Sequence, residues 1–268
     1  MKFFLICTLI GIISIDANTF TTVSHRTKNV FALLIIDVQY CFINGSLALS
    51  NSPAQHNGAD VIPSINHLIQ TAPFDVITYS LDWHPVNHIS FIDNLHDRRE
   101  YLTDEKHQTS KVFDKVTYTG PKHETEQVLW PTHCVENTKE AQLHDDLIHL
   151  PESPNVIYIR KGTDPDIDSY SAFADNNRNH MTPLHKKLQS QNVTHVFVTG
   201  LALDYCVGST AIDAALFNYK TYVIEDACRG VDQRSINARY TQFLDYGIQV
   251  VHSNEVMDIM DDINNTCF

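Results

Sequence analysis

Six strand-like segments punctuate this chain, and most of them stop at a side chain able to do chemistry. Residues 30–36 are apolar without interruption and end at Asp37. Residues 74–81 end at Asp82, 155–159 run into Lys161, and 195–199 lead into a turn that carries Cys206, while 221–224 and 248–251 complete the set. Uninterrupted runs of this length are strands buried on both faces, the habit of parallel sheets. Segments of helical period lie between them. Residues 58–72 carry Ile62, Ile65 and Ile69 on one stripe with Pro63 in the first turn. Residues 183–189 form a short helix, 205–217 a helix rich in small residues, 235–246 another, and Val256, Ile259, Met260 and Ile263 mark a closing amphipathic helix. This alternation predicts an α/β fold with a mostly parallel sheet covered by helices on both faces. Residues 92–128 are polar, with scattered histidines and no clear period, and are expected to form a long functional loop.

Composition narrows the partners. With 43% hydrophobic and 19% charged residues, the 268-residue chain has enough apolar matter for one sizeable core, expected over 30–268. Nineteen Lys and Arg against 32 Asp and Glu leave a formal charge of -13, which excludes a nucleic acid partner for want of a basic face. No basic run suits an anionic membrane, and no interior stretch reaches the ~18 apolar residues of a spanning helix. At the N-terminus, Met1-Lys2 precedes an apolar run over 3–15 and a small residue at Ala17. That pattern predicts a secretory signal peptide over 1–17, a polar leader over 18–29, and an extracellular protein. Without Cys7 the cysteines number five, and an odd count outside the cell implies a free thiol. If that thiol is Cys206, then Cys41, Cys134, Cys228 and Cys267 allow three pairings, which remain open. Acceptor tripeptides for glycans begin at Asn44, Asn192 and Asn264.

Ligands of open α/β sheets bind beyond the carboxyl ends of the strands. Asp37, Asp82, Lys161 and Cys206 therefore converge on one sheet edge. A thiol at a helix start, with Lys161 near, is expected to favour its thiolate. Asp37 is placed to take the thiol proton and return it to a leaving amine, and backbone N–H groups before the helix can face an oxyanion. These are the parts of an acyl-transfer hydrolase. A second group comprises Asp82, His84 and His88, joined later in the chain by His133. A carboxylate and two imidazoles with coordination positions left open make a catalytic rather than structural metal site. Such N and O donors suit Zn and also accept Mn, Fe or Co. In an extended segment Cys134 points away from His133.

Four segments taken together resemble the nicotinamidase/pyrazinamidase group of the isochorismatase-like cysteine hydrolases: DVQYCF at 37–42, DWHPVNHISF at 82–91, LWPTHCVENT at 129–138 and GLALDYCVGSTAIDAA at 200–215. RKGTD at 160–164 adds the lysine, and the likeness spans about 31–251. The resemblance implies a catalytic triad of Asp37, Lys161 and Cys206, and a metal held by Asp82, His84 and His133, with the role of His88 open. It implies aromatic walls from Phe42, Trp130 and Tyr170, a cis peptide at Leu201–Ala202, and an oxyanion hole from the N–H groups of Ala202 and Cys206. The implied sheet has six strands and a switch point between the first and fourth. The implied reaction converts nicotinamide to nicotinate and ammonia through a thioester on Cys206, the metal receiving the pyridine nitrogen. Rival readings are an amidohydrolase for another small amide or an N-carbamoyl compound, and a secreted binding protein without turnover. The chain departs from the family at Tyr40-Cys41, where an Asn-Asp pair is common, a change that alters pocket polarity or brings a disulfide near. The signal peptide is also unlike most relatives, and a homo-oligomer is left open.

Overall fold

The computed structural model describes residues 28–265, so the expected signal peptide, most of the leader and Cys267 lie outside the described residues. Strand β1 (Phe31–Ile36) is buried at all six positions. It is central, paired in parallel with β2 (Val76–Asp82) on one side and β6 (His195–Leu201) on the other. Outward from β2 lies β5 (Val156–Lys161), and outward from β6 lie β7 (Lys220–Arg229) and β8 (Gln249–Val251). The order β5-β2-β1-β6-β7-β8 makes a six-stranded parallel sheet whose winding order switches between β1 and β6, as the resemblance implies.

The sheet separates two apolar layers. Leu33 and Ile35 of β1 join one with Ile65 and Phe197, while Ala32, Leu34 and Ile36 join the other with Leu188 and Val198. Such alternation follows from the pleat, and each fully buried Leu or Ile contributes roughly 1.5–3 kcal/mol. Helix α1 (Tyr40–Ile43) follows β1 closely, and α2 (Ile62–Thr71) buries Ile62, Ile65 and Leu68 before Pro73 forbids continuation. Helices α3 (Leu184–Ser190), α4 (Gly208–Leu216), α5 (Gln233–Asp245) and α6 (Val256–Asn265) occupy the remaining predicted stretches. Asp232 caps α5 by accepting from the Arg234 N–H at 2.7 Å.

Three local expectations change. Residues 92–128 are not one irregular loop: β3 (Lys115–Tyr118) and β4 (Thr125–Val128) form an antiparallel hairpin. Val116 and Tyr118 close a separate small core with Ile89, Leu95 and Leu129. Four-residue strands with polar outer positions leave too little period to read from sequence. The helix expected over 205–217 instead begins as a π-helical turn at Leu203–Val207 before α4. Strand β7 runs well beyond 221–224, its register against β6 shifting between Val198 and Gly200.

Candidate active site

Asp37 directly follows β1 in a left-handed conformation (φ 49°) and has no solvent exposure. Ser80 Oγ donates to its Oδ1 at 2.6 Å. Two strands away, Lys161 ends β5 in register with Asp82, the last residue of β2. The buried Lys161 Nζ gathers the site: it lies 2.8 Å from Asp37 Oδ2, 2.5 Å from Asp82 Oδ1 and 3.3 Å from Cys206 Sγ, and donates to the Ser169 carbonyl at 3.0 Å. Burial works against its charge, but Asp37, Asp82 and Cys206 together carry its proton affinity well above that of an ordinary lysine.

The turn bearing Cys206 is held from several sides. Gly200 (φ 113°) lies so close to β1 that a Cβ there would sit 2.1 Å from the Ile36 carbonyl oxygen. The Leu201–Ala202 peptide is cis, as the resemblance implies. The N–H groups of Tyr205 and Val207 both donate to the Ala202 carbonyl, at 3.0 and 3.1 Å, which places the Ala202 and Cys206 backbone within one tight turn. Asp204, which the sequence did not single out, accepts from the Val231 and Asp232 N–H groups and from Ser235 Oγ, while Arg239 Nη2 donates to its carbonyl at 2.6 Å.

Burial reverses one electrostatic expectation. The Cys206 thiol is pushed well above its ordinary value by desolvation, with Lys161 opposing and Asp37 and Asp82 reinforcing. Cys206 therefore rests as a thiol rather than a thiolate. Burial also lifts Asp37 to about 6, Lys161 pulling the other way. The site holds a neutral nucleophile beside a carboxylate that is ionised at neutral pH.

Beyond Lys161, the other Asp82 oxygen faces two histidines. Asp82 Oδ2 is 3.4 Å from His84 Nε2 and 3.9 Å from His133 Nε2, all three residues being buried. Each imidazole is fixed by its other nitrogen: His84 Nδ1 donates to the Gly162 carbonyl and His133 Nδ1 to the Pro131 carbonyl, both at 2.8 Å. This leaves both Nε2 atoms free to act as ligands, an arrangement typical of metal histidines. Gly162 (φ 63°) gives the His84 ring its room, since a Cβ would fall 2.3 Å from Cε1. One donor atom from each of Asp82, His84 and His133 lies within 4.8 Å of the others, and this buried N2O set fits a divalent ion. Despite its burial, Asp82 stays below the usual carboxylate range because of Lys161 and His84, and burial lowers His133 to about 3. His88 belongs to a different group. It stacks on His84 at 4.1 Å, holds Ser90 Oγ at 2.7 Å through Nδ1, and clusters with His84 and the buried Asp168. Nothing in the sequence pattern singled out Asp168.

Aromatic rings enclose the space beside these groups. Phe42 lies 5.6 Å from His133 between ring centroids, and Trp130 Nε1 donates to the Tyr170 hydroxyl at 3.4 Å. Tyr205 joins them edge-on, 4.7 Å from Trp130 and 5.3 Å from Tyr170. Its position next to the nucleophile in sequence was the available signal. The structure thus joins Trp130 and Tyr170 to a further ring, Tyr205, and sets Phe42 against the metal-ligand candidate His133. A neighbouring cleft of about 1210 Å³ shares Tyr170 and Tyr205 but none of the triad or metal-ligand candidates, so the reactive groups lie beside it rather than in it.

Cys41 and Cys134 are bridged, and Cys206 and Cys228 are free and buried. Among the described residues there is one bridge, not the two that a single free thiol would require. The bridge occupies the Cys134 sulfur, and the segment is not extended there as the sequence reading assumes, since Cys134 lies in the left-handed region (φ 44°).

Comparison with known proteins supplies the context. Residues 31–255 match the model of the isochorismatase domain family. The nicotinamidase of Acinetobacter baylyi is 38% identical, over 87% of this chain and 97% of its own length. The structure of the yeast nicotinamidase Pnc1p bound to the inhibitor nicotinaldehyde superposes with a TM-score of 0.71 at 32% identity, covering 83% of this chain and 100% of that one. The pyrazinamidase of Pyrococcus horikoshii in complex with zinc gives a TM-score of 0.60 at 29% identity, covering 83% of this chain and 98% of that one.

Proposed function

This chain belongs to the isochorismatase domain family, and on that footing we propose that it is a nicotinamidase, hydrolysing nicotinamide to nicotinate and ammonia through a thioester on Cys206. The observation that carries this is the position of Lys161 Nζ, within 3.3 Å of the sulfur and 2.8 Å of Asp37, beside a buried metal-binding set.

In this mechanism ionised Asp37 takes the thiol proton as Cys206 Sγ attacks the carboxamide carbon. The N–H groups of Ala202 and Cys206 receive the charge that develops on the carbonyl oxygen. Asp37 then passes the proton to the amide nitrogen, the C–N bond breaks, and ammonia leaves. A water that gives its proton to Asp37 attacks the thioester, nicotinate departs, and Asp37 returns the proton to the sulfur. Lys161 holds Asp37 ionised between these transfers and screens the negative charge as the sulfur sheds its proton. Phe42, Trp130, Tyr170 and Tyr205 hold a flat heteroaromatic ring by edge and face contacts. Asp82, His84 and His133 would hold one divalent metal, zinc by preference with Mn, Fe or Co as alternatives, which supplies a Lewis acid to the ring nitrogen and orients the substrate.

The proposal extends to a secreted glycoprotein. A bridged Cys41–Cys134 pair suits an oxidising compartment, and Asn44 and Asn192 are exposed. Burial of Cys206 protects the thiol that catalysis needs in reduced form.

An ammonia-release assay on nicotinamide with metal analysis of the same sample tests the reading. Wild type is expected to turn over nicotinamide with about one metal per chain, and Cys206→Ala to lose turnover while retaining the metal. A Cys206→Ala variant with wild-type activity, or a wild type inert toward nicotinamide, would refute it.

A further inference from the structure

The geometry points to the Cys41–Cys134 disulfide as a positioning element of the metal site, one that makes metal retention depend on the oxidation state of the protein. This inference rests on the metal role given above to His133. Between β4, which ends at Val128, and β5, which starts at Val156, the chain has no helix or regular strand, and His133 sits in that stretch. A ligand on irregular backbone needs attachments from outside its own segment, and three converge here. The disulfide ties Cys134, the next residue, to Cys41 in α1, across a sequence separation of 93. The ring of Phe42, the residue after Cys41, packs against His133 at 5.6 Å. The Cys134 carbonyl accepts the His84 N–H at 3.1 Å, so the backbone of a second ligand hangs on the bridged residue itself. Both cysteines are fully buried. The covalent link therefore joins the segment that carries Asp37 and Phe42 to the segment that carries His133, and through Cys134 it touches the stretch just after β2 that carries His84.

Breaking the bridge leaves the donor set intact but frees His133 to move with its loop. With mild denaturant present to expose the buried bond and then removed, a tertiary phosphine does this: the S–S bond breaks, the phosphine is oxidised to its oxide with oxygen taken from water, and the water protons complete two thiols. Zinc affinity is then measured by competition with a chromophoric chelator, in the absence of nicotinamide, on oxidised wild type, phosphine-reduced wild type, Cys41→Ala, Cys134→Ala and the double variant. Zinc binding is expected to weaken about 10–100-fold in the reduced protein and in all three variants, the size seen when a ligand's supporting contact is lost. The single variants should cost as much as the double one, because either removes the whole link.

A merely structural bridge predicts something else. It would lower the melting temperature of metal-free and zinc-loaded protein by equal amounts and leave zinc affinity unchanged, and that result overturns the inference. So does peptide mapping under non-reducing conditions that finds Cys41 and Cys134 as free thiols in the secreted protein. Should a variant fail to fold, the reduced wild type still makes the comparison. Bridge-dependent zinc binding without ammonia release would sink the nicotinamidase reading and leave this one standing.

Discussion

The ammonium of Lys161 and the carboxylate of Asp37 lie 2.8 Å apart, and neither side chain reaches solvent. A buried ion pair repays its desolvation poorly, but removing one partner strands the other. Here two carboxylates would be stranded, since Asp82 leans on the same nitrogen. Lys161→Met is therefore expected to cost about 3–5 kcal/mol of stability in urea unfolding as well as nearly all ammonia release. A variant as stable as wild type would show that the pair is not the anchor the geometry makes it.

Activity should rise through an acid limb with a midpoint near pH 6 in kcat/KM, where burial places the ionisation of Asp37. The same group affects stability in the opposite sense. Its proton is held more tightly in the folded chain than the ~3.9 of an unfolded aspartate. Its contribution to stability is thus fully present below about pH 4 and is lost as pH rises through about 6. Asp37→Asn should flatten this slope in unfolding experiments and cost about 10²–10⁴ in turnover.

Gly162→Ala tests the cradle of His84. The new methyl would meet the ring at 2.3 Å and occupy a left-handed conformation that L side chains resist. The Gly162 carbonyl that orients His84 must shift with it, so zinc affinity should drop about 10–100-fold by calorimetric titration.

Tyr205→Ala should raise KM for nicotinamide about tenfold, the loss of an aromatic pair plus part of its buried area. With the metal set and triad untouched, kcat should change less. An effect confined to kcat would remove Tyr205 from the substrate wall.

Much of the site could be read from the chain because its reactive groups stand where strands end. Asp37 follows one strand, and Asp82 and Lys161 are the last residues of two others, and a parallel sheet brings such ends together whatever lies between. The hairpin at 115–128 escaped because its four-residue strands, paired only with each other, carry a weak pattern. Asp204, Asp168 and Arg239 escaped because their value lies in contacts made by segments distant in sequence, such as the hold of Arg239 on the Asp204 carbonyl. The state of the Cys206 thiol is not legible in the sequence for a related reason. Proximity to a cation is visible in a motif, whereas the depth of burial that outweighs it is a property of the whole fold.

The close approach of Gly200 to Ile36 has a consequence for how such an enzyme can diversify. At that crossing main chain rests on main chain, with no side chain between, so the two backbone segments that carry the acid/base and the sulfur are held at a set separation. Replacements elsewhere can reshape the rings around a guest molecule without disturbing that separation. Selectivity and bond-breaking thus reside in parts of the polypeptide that are free to drift separately.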